Sequence, residues 1–464
     1  MHSIFRTIRF YLALWAGKLL LYWYCRTGHT RNDRPGMASL RLYPDFLKQI
    51  ATPKLTIVVT GTNGKTTISA LLADLLQLDG KTVSYNDWGA NHHAGVARCL
   101  LDAVNIWNKP TKDVAVIEMD ELISPLDVPY LHPNYLVVSN LARDSMLRNA
   151  HPEHIYRQLE KTVSQTPGAV LVLNADDPIS SRLGAGQRII TFGVCNQHTD
   201  QTVHAVNDFS ICPNCGGVPQ YHYRNYRHIG DFYCPNCGLH ARDRDYFVQE
   251  ADFSAGVLTL REPSGVAQYP MVSHSLHNLY NQAAVTALLR DLGLEAGTLA
   301  RYLEQVHILP SRESEQTVGG IRLITHIAKG QNPTAVSTVF EYLSRIPTKK
   351  ELVLLLDEVY ETPLKTETIA WIYDTDFEYL NRPEIQKIVV AGARYLDRRL
   401  RLLLAGIPAE KLVCVRQETD AAQYVDLTGI EEIYVLHDVN AISLGRQVRD
   451  QIKARILQEG GTPS

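Results

Sequence analysis

Two groups of residues in this chain of 464 have the types and spacing to do chemistry. The first is Thr60-Gly61-Thr62-Asn63-Gly64-Lys65-Thr66-Thr67, directly after the apolar run Leu55-Thr56-Ile57-Val58-Val59. Behind it Ile68, Leu71, Leu72, Leu75 and Leu76 recur at helical spacing up to Gly80, so the loop joins a buried strand to a helix. At such a junction the free N–H groups of the helix start, its positive dipole end and a lysine charge converge on phosphate. Gly61 and Gly64 let the backbone come close, Lys65 supplies the charge, and Thr66 offers a hydroxyl to Mg2+. Thr62, Asn63 and Thr67 complete the cradle. The general pattern has a further glycine where this chain has Val59, so the loop is a shorter variant. The second group is Cys212-Pro213-Asn214-Cys215, then 18 residues, then Cys234-Pro235-Asn236-Cys237. Two tight knuckles supply four thiolates at tetrahedral geometry, the pattern of a zinc ribbon whose closed shell suits a structural metal; disulfides are the alternative.

The elements that position these groups follow from periodicity. From 51 to about 192 strand and helix alternate, with strands predicted at 55–60, 82–85, 114–118, 135–139, 169–173 and 188–192. This is an α/β pattern, a parallel sheet with helices on both faces and its ligand beyond the carboxyl ends of the strands. Glu118 stands at one such end, placed to hold Mg2+ directly or through Thr66, and Asp120 and Glu121 can share that role. Asn140, Arg143 and Asp144 end the next strand, and Asn174-Ala175-Asp176-Asp177-Pro178 the one after. That last turn reads either as an Asx turn capping a helix or as a ligand contact. Residues 193–274 break the rhythm, with the ribbon inserted at about 205–245. Ser275 opens a helix running to Leu292-Gly293, on which Asn278 and Asn281 form an amide pair able to read a base edge or position a loop. Pro310-Ser311-Arg312 marks a boundary, and Arg312 is a candidate phosphate contact from the neighbouring domain.

Residues 313–464 alternate again, with strands at 322–326, 351–356, 387–391, 412–415 and 432–436 and helices at about 333–345, 394–405 and 441–457. The organisation is therefore an N-terminal helical arm (1–50), a phosphate-binding α/β domain (51–310) and a C-terminal α/β domain (311–464). The acids of 366–378 are either functional or belong to a helix start capped by Thr and Asp. Arg6, Arg9, Lys18 and Arg26 interrupt the apolar stretch 5–25, which is too broken to span a bilayer. It either docks on the body or lies on a membrane surface with its cations at the headgroups. Arg31-Asn32-Asp33-Arg34-Pro35-Gly36 reads as a turn. A net charge of −3 argues against bulk nucleic-acid binding. Cys25, Cys99, Cys195 and Cys414 are scattered, as suits a cytoplasmic protein better than a disulfide framework.

The loop, Glu118, Asn174-Ala175-Asp176-Asp177 and His277-Asn278 with Asn281 together resemble the central ATPase domain of the Mur ligase family. The ribbon, Trp371-Ile372-Tyr373-Asp374, Ala391-Gly392-Ala393-Arg394 and Ala16-Gly17-Lys18-Leu19-Leu20 narrow the resemblance to the MurT-type subunit of lipid II isoglutaminyl synthase, over nearly the whole chain. The resemblance implies ATP-dependent amidation of the D-glutamate α-carboxylate of the lipid II stem peptide through an acyl phosphate. Ammonia would come from a GatD-type glutaminase in a heterodimer, at the inner face of the plasma membrane. It also implies Lys65, Glu118 and Arg312 as catalytic residues, Asn278 and Asn281 as nucleotide contacts, and Thr66 with Glu118 on Mg2+. None of the four scattered cysteines sits in a Gly-x-Cys-x-Gly nucleophile turn, which suits a separate glutaminase.

Three positions depart from the subfamily pattern. The Asp that completes the partner's Cys-His triad is here Thr368, so either Glu367 or Asp374 substitutes or the coupling is weakened. The acidic residue before Gly-Ala-Asn is Trp88, and the second acid of Arg-Asp-x-x-Asp is Leu147. Two other functions fit the same residues. One is a divergent Mur-type ligase with another carboxylate acceptor or free ammonia. The other is a non-catalytic nucleotide-binding scaffold, against which intact Lys65, Thr66 and Glu118 count.

Overall fold

A computed structural model describes residues 2–28, 32–86, 90–143, 151–184, 186–197, 206–273, 275–306, 313–328, 332–356, 369–438 and 441–459. The chain divides into two compact units, the first holding 1–143, 151–197 and 208–308 and the second the remainder.

In the first unit the β-branched runs become strands because both of their faces are covered. Its strands are β1 (Leu55–Thr60), β2 (Val83–Tyr85), β3 (Val114–Glu118), β4 (Tyr135–Val138), β5 (Val170–Asn174), β6 (Ile189–Val194), β7 (Gln220–Tyr226), β8 (Ile229–Tyr233), β9 (Tyr246–Asp252), β10 (Val257–Glu262) and β11 (Gly265–Pro270). Its helices are α1 (His2–Arg26), α2 (Arg34–Leu42), α3 (Lys65–Leu78), α4 (His93–Ala103), α5 (Ser124–Leu131), α6 (Pro152–Ser164), α7 (Leu276–Asp291) and α8 (Ala296–Leu303). Nine strands form one sheet in the order β11-β10-β9-β6-β5-β4-β1-β3-β2. It is parallel from β2 across to β9, and β10 and β11 add an antiparallel edge. Alternate strand residues feed two cores: Ile57, Val59, Val116 and Val137 pack with α3 and α7, while Val58, Ala115, Ile117 and Val138 pack with α1, α4 and α6. β7 and β8 form the separate hairpin of the ribbon.

The parallel strands β1 to β6 lie within two residues of the positions their periodicity predicts. Strands β9 to β11 were not predicted, because exposed polar residues such as Gln249, Glu250, Arg261 and Gln268 dilute the apolar alternation. The expected turn at 31–36 is corrected: α2 starts at Arg34, with Pro35 in its first turn, where a missing N–H is harmless. Helix α1 docks on the body. Phe10, Ala13, Leu14 and Leu21 are buried, and the Phe10 ring stacks on Phe46 with centroids 5.4 Å apart. Lys18 turns inward, its Nζ donating to the Leu101 carbonyl at 2.8 Å.

The second unit contains β12 (Glu313–Val318), β13 (Ile321–Ile327), β14 (Lys350–Leu355), β15 (Ile385–Ala391), β16 (Leu412–Val415) and β17 (Glu432–His437), with α9 (Pro333–Arg345), α10 (Ala370–Asp374), α11 (Tyr395–Leu404) and α12 (Ile442–Glu459). Its sheet runs β12-β13-β17-β14-β15-β16, parallel except for β12. β12 escapes a reading by periodicity because Glu-Ser-Glu-Gln-Thr-Val offers a single strongly apolar residue. Helix α10 has Ile369 at its N-cap and no side-chain cap, and Asp374 closes it rather than capping it.

One buried acid makes this unit sensitive to pH. Burial pushes the Glu351 carboxyl up to about 7, against the pull of the Asp426 backbone N–H and Lys387. A raised acid pKa favours the folded state only while the group is protonated, so that contribution is lost as pH rises from the unfolded value through about 7. Glu351→Gln is therefore expected to leave stability nearly unchanged at pH 4.5 and to raise it at pH 8. Urea unfolding at both pH values checks this, and an equal effect at the two would refute it.

Candidate nucleotide site and cysteine cluster

The junction of β1 and α3 is built by close approach. The loop turns through Gly61 at φ +118° and Gly64 at φ +89°. A β-carbon on Gly61 would lie 2.4 Å from Ser139 Oγ, and one on Gly64 would lie 2.2 Å from Asn281 Oδ1. Only glycine fits at either position. The loop is braced from the end of β4. Thr62 N donates to the Asn140 carbonyl at 2.8 Å, and Ala142 N donates to Thr62 Oγ1 at 3.1 Å. Ser139 Oγ and Asn140 Nδ2 donate to the Asn63 carbonyl at 2.6 and 3.0 Å. Asn140 thus holds the loop. The first-turn N–H groups of α3, including those of Thr66 and Thr67, lack intrahelical acceptors and make the site suited to an anion.

Lys65 folds back over this cradle. Its Nζ donates to Glu121 Oε1 at 3.0 Å, to the Thr62 carbonyl at 3.4 Å and to the Gly61 carbonyl. Burial pushes the Glu121 carboxyl up, Lys65 pulls it down, and Asp120 pushes it up again. A buried carboxylate needs a cation beside it, and Glu121 thereby keeps the lysine at the loop. Glu118, the last residue of β3, pairs in register with Val59 of β1 and is buried. Asn91 Nδ2 donates to its Oε1 at 3.3 Å. Asn86 grips its backbone, accepting from the Glu118 N–H at 2.7 Å and donating to the Glu118 carbonyl at 2.8 Å. Sequence reasoning missed Asn86 and Asn91, since nothing local marks them as partners of a residue some 30 positions away.

Helix α7 reaches the loop from the other side. Ser275 caps it by accepting from Asn278 N at 3.3 Å. Asn281 Nδ2 donates to Asn278 Oδ1 at 3.0 Å, and Asn278 Nδ2 donates to Ser273 Oγ at 2.9 Å. Asn281 of this pair stands against Gly64. The acids of the turn after β5 are structural. Asn174 Oδ1 accepts from Asp176 N at 3.1 Å, an Asx turn, and Asp177 accepts from Ile179 N and Leu141 N at 2.9 and 2.7 Å. Asp176 is fully buried and accepts from Arg244 Nε, Tyr280 Oη and Val194 N at 2.7, 2.8 and 2.9 Å. Arg143 is paired with Asp208 at 2.6 Å.

The four cysteines converge. The Sγ atoms of Cys212 and Cys237 are 3.6 Å apart, those of Cys215 and Cys234 are 3.5 Å apart, and all four lie within 4.8 Å of one another. Four thiolates about 2.3 Å from one tetrahedral ion would be separated by about 3.8 Å, so the set fits a metal. These separations are far too long for disulfides. The two knuckles match: Gly216 N donates to the Cys212 carbonyl at 2.9 Å and Gly238 N to the Cys234 carbonyl at 3.0 Å. The hairpin between them is tied to the body. Asn225 Nδ2 donates to Tyr280 Oη at 2.8 Å, and Arg244, just beyond the hairpin, bridges Asp176 and Asp231.

Asp374 lies half-buried in the second unit, apart in the chain from these groups. Arg312, Glu367, Thr368, Trp88 and Leu147 fall outside the described residues. A cavity of about 300 Å3 in the first unit is lined by Leu47, Lys48, His93, Asp127 and Tyr130 among others, and by no loop residue.

Two expectations follow from this geometry. Gly64→Ala drives a methyl into Asn281 and should raise the Kd for ADP more than about tenfold in a fluorescent-nucleotide titration. Tyr280→Phe leaves the buried Asp176 short of a donor and should lower stability by about 1–3 kcal/mol in urea unfolding. Wild-type values for either variant would contradict the packing described.

Comparisons with known proteins agree with the two halves of the chain. The Mur ligase middle-domain family matches residues 59–214, and the MurT ligase C-terminal family matches residues 330–442. Subunit MurT of the glutamine-hydrolysing lipid II isoglutaminyl synthase of Staphylococcus aureus is 30% identical over 389 residues, 83% of this chain and 86% of the relative. The subunit of the same name from Streptococcus pneumoniae is 27% identical over 432 residues, 93% of this chain and 95% of the relative. Among solved structures, a pseudomurein peptide ligase type C from Methanothermus fervidus has the same fold, with a TM-score of 0.67 at 17% identity over 88% of this chain and 81% of that one.

Proposed function

The chain belongs to the MurT family of the Mur ligases and is an ATP-dependent ligase of the lipid II isoglutaminyl synthase type, and on that premise we propose that it amidates the α-carboxylate of D-glutamate in the lipid II stem peptide. The supporting observation is the loop, where Lys65 is held beside Glu121 at the start of α3 while Glu118 ends the adjoining strand. On this reading the acceptor carboxylate attacks the γ-phosphorus of ATP, ADP departs, and an acyl phosphate forms. Ammonia then attacks the acyl carbon and inorganic phosphate leaves, giving the amide. Lys65 exchanges Glu121 for the phosphate oxygens, where its charge counts most as negative charge develops. The loop N–H groups hold the phosphates in line, and Asn278 with Asn281 keeps Gly64 in place. Thr66 and Glu118 would hold Mg2+, which when bound neutralises the phosphate oxygens. Arg312 would contact the transferred phosphate.

The four cysteines would hold a structural Zn2+ that folds the ribbon and takes no part in the chemistry. The partner is a GatD-type glutaminase that releases ammonia from glutamine, and the setting is the cytoplasmic face of the membrane. With threonine at position 368, Asp374 or Glu367 would supply the carboxylate that orients the partner's histidine.

Purified protein with ATP, Mg2+, ammonium and lipid II should convert the stem-peptide carboxylate to its amide, read by mass spectrometry. Lys65→Ala should slow this by about 10²-fold or more. An unchanged stem-peptide mass in the wild-type reaction would overturn the assignment. With glutamine and the partner as nitrogen source, Asp374→Asn should reduce amidation while leaving the ammonium-driven rate intact. Equal loss in both assays would remove Asp374 from the coupling role.

A further inference from the structure

Helix α1 is apolar on two opposite faces. The inner stripe, Phe10, Ala13, Leu14 and Leu21, is buried. The outer stripe, Ile8, Leu12, Trp15, Leu19 and Tyr22, repeats at steps of four and three, so it forms one line along the helix, about 21 Å long. These residues are exposed, Leu19 by 70%. A second apolar element sits beside the stripe. Trp15 Nε1 donates to the Ile106 carbonyl at 3.0 Å, and the turn carrying Ile106 presents Trp107 at 63% exposure. The turn is held by its own asparagines. Asn105 Oδ1 accepts from Trp107 N at 2.9 Å and Lys109 N at 3.0 Å, and Asn108 bonds to Ala51 N and the Gln49 carbonyl. Large exposed apolar patches of this kind are rare on a surface that meets only water.

The charges around the patch are mostly basic; the nearby acids Asp45 and Asp102 sit beside Lys48 and Lys112. Helix α1 contains four basic residues and no acid. With Lys18 turned inward, Arg6, Arg9 and Arg26 remain exposed, and Lys109 adds a cation beside Trp107. Tryptophan and tyrosine along an apolar line flanked by arginines are the composition of a helix lying in a membrane interface. None of the described helices is long and apolar enough to cross a bilayer. A second copy packed by the same face would set arginines against arginines across a two-fold axis.

We propose that the outer face of α1 and the Ile106-Trp107 turn form a docking surface for a bilayer bearing anionic headgroups. The aromatic and aliphatic side chains enter the boundary between headgroups and acyl chains, while Arg9, Arg26 and Lys109 meet lipid phosphates. The surface is independent of the ligase chemistry, and its effect is to confine the protein where a lipid-linked substrate lies.

Flotation of the full chain with vesicles, without ATP or lipid II, tests this. Wild-type protein should partition onto vesicles of phosphatidylcholine with phosphatidylglycerol at least about tenfold more than onto phosphatidylcholine alone, and the excess should shrink in high salt. The tryptophan emission should shift to the blue on binding. The triple variant Leu12→Gln, Leu19→Gln, Trp107→Ser should lose at least about tenfold of the partitioning with an unchanged melting temperature. If that variant fails to fold, Leu19→Gln alone should still weaken binding. Wild-type protein that stays unbound, or variants that bind like wild type, would overturn the proposal. So would a dimer that Leu19→Gln dissolves without any vesicle binding, which would assign the face to a second copy. Either result leaves the amidation assay unaffected.

Discussion

The carboxylate of Asp176 is fully buried and bonded from three directions, and the arrangement of the first unit depends on it. A charge cannot be left unpaired in a dry interior. Arg244, the end of β6 and Tyr280 of α7 must therefore stay where they are. The backbone of Asp176 extends the constraint, since its carbonyl accepts from Gly230 N of the hairpin at 2.8 Å. Tyr280 in turn accepts from Asn225 of the same hairpin. The next residue after Tyr280 is Asn281, which stands against Gly64. Cysteine knuckles, hairpin and α7 thus form one hydrogen-bonded assembly that packs against the phosphate loop at Gly64, and a metal held by the four cysteines would stiffen that wall without approaching the chemistry.

The loop shows how a site can be made rigid before its ligand arrives. Its carbonyls are occupied by Ser139 and Asn140, its glycines are wedged against neighbouring side chains, and its lysine is held by Glu121. Preorganised donors are effective because no reorganisation is needed when charge develops. On the proposed mechanism the Lys65–Glu121 pair adds an exchange: the cation already lies in place and would change partner rather than position. Burial keeps that pair from being screened by water.

Helix α1 carries a different constraint. Its inner face is fixed by packing on Phe46, Tyr43 and the α4 core, and this fixes the outer face as well. A helix that is apolar all round must be covered on both sides. Among the described residues of the first unit, only one of them is covered.

Much of this was legible in the residues themselves. The strand–glycine loop–helix junction, the parallel strands, the cysteine knuckles and the capping Ser275 all rest on short-range chemistry. Side-chain periods of 2 and 3.6, positive φ at glycine and ligand spacing act over a few positions. What lay beyond the sequence was the choice of partner among polar groups at the strand ends. Asn140 and Asp177 brace the fold, Glu121 holds the lysine, and Asn86 and Asn91 hold Glu118. Such bonds join residues far apart in the chain, 76 positions for Ser139 with Asn63 and 104 for Tyr280 with Asp176. Strands β9 to β12, near the margins of the two sheets, escaped for a related reason, since neighbours rather than their own apolar content make them strands. The same holds for α1, whose composition declared it apolar but whose buried and exposed faces were decided only by packing. The sequence determined which groups could bind phosphate and metal, because those properties reside in the groups and their spacing. Tertiary structure decided which polar side chains are free to meet a ligand and which are committed to holding the fold, because that depends on what distant segments bring within 3 Å.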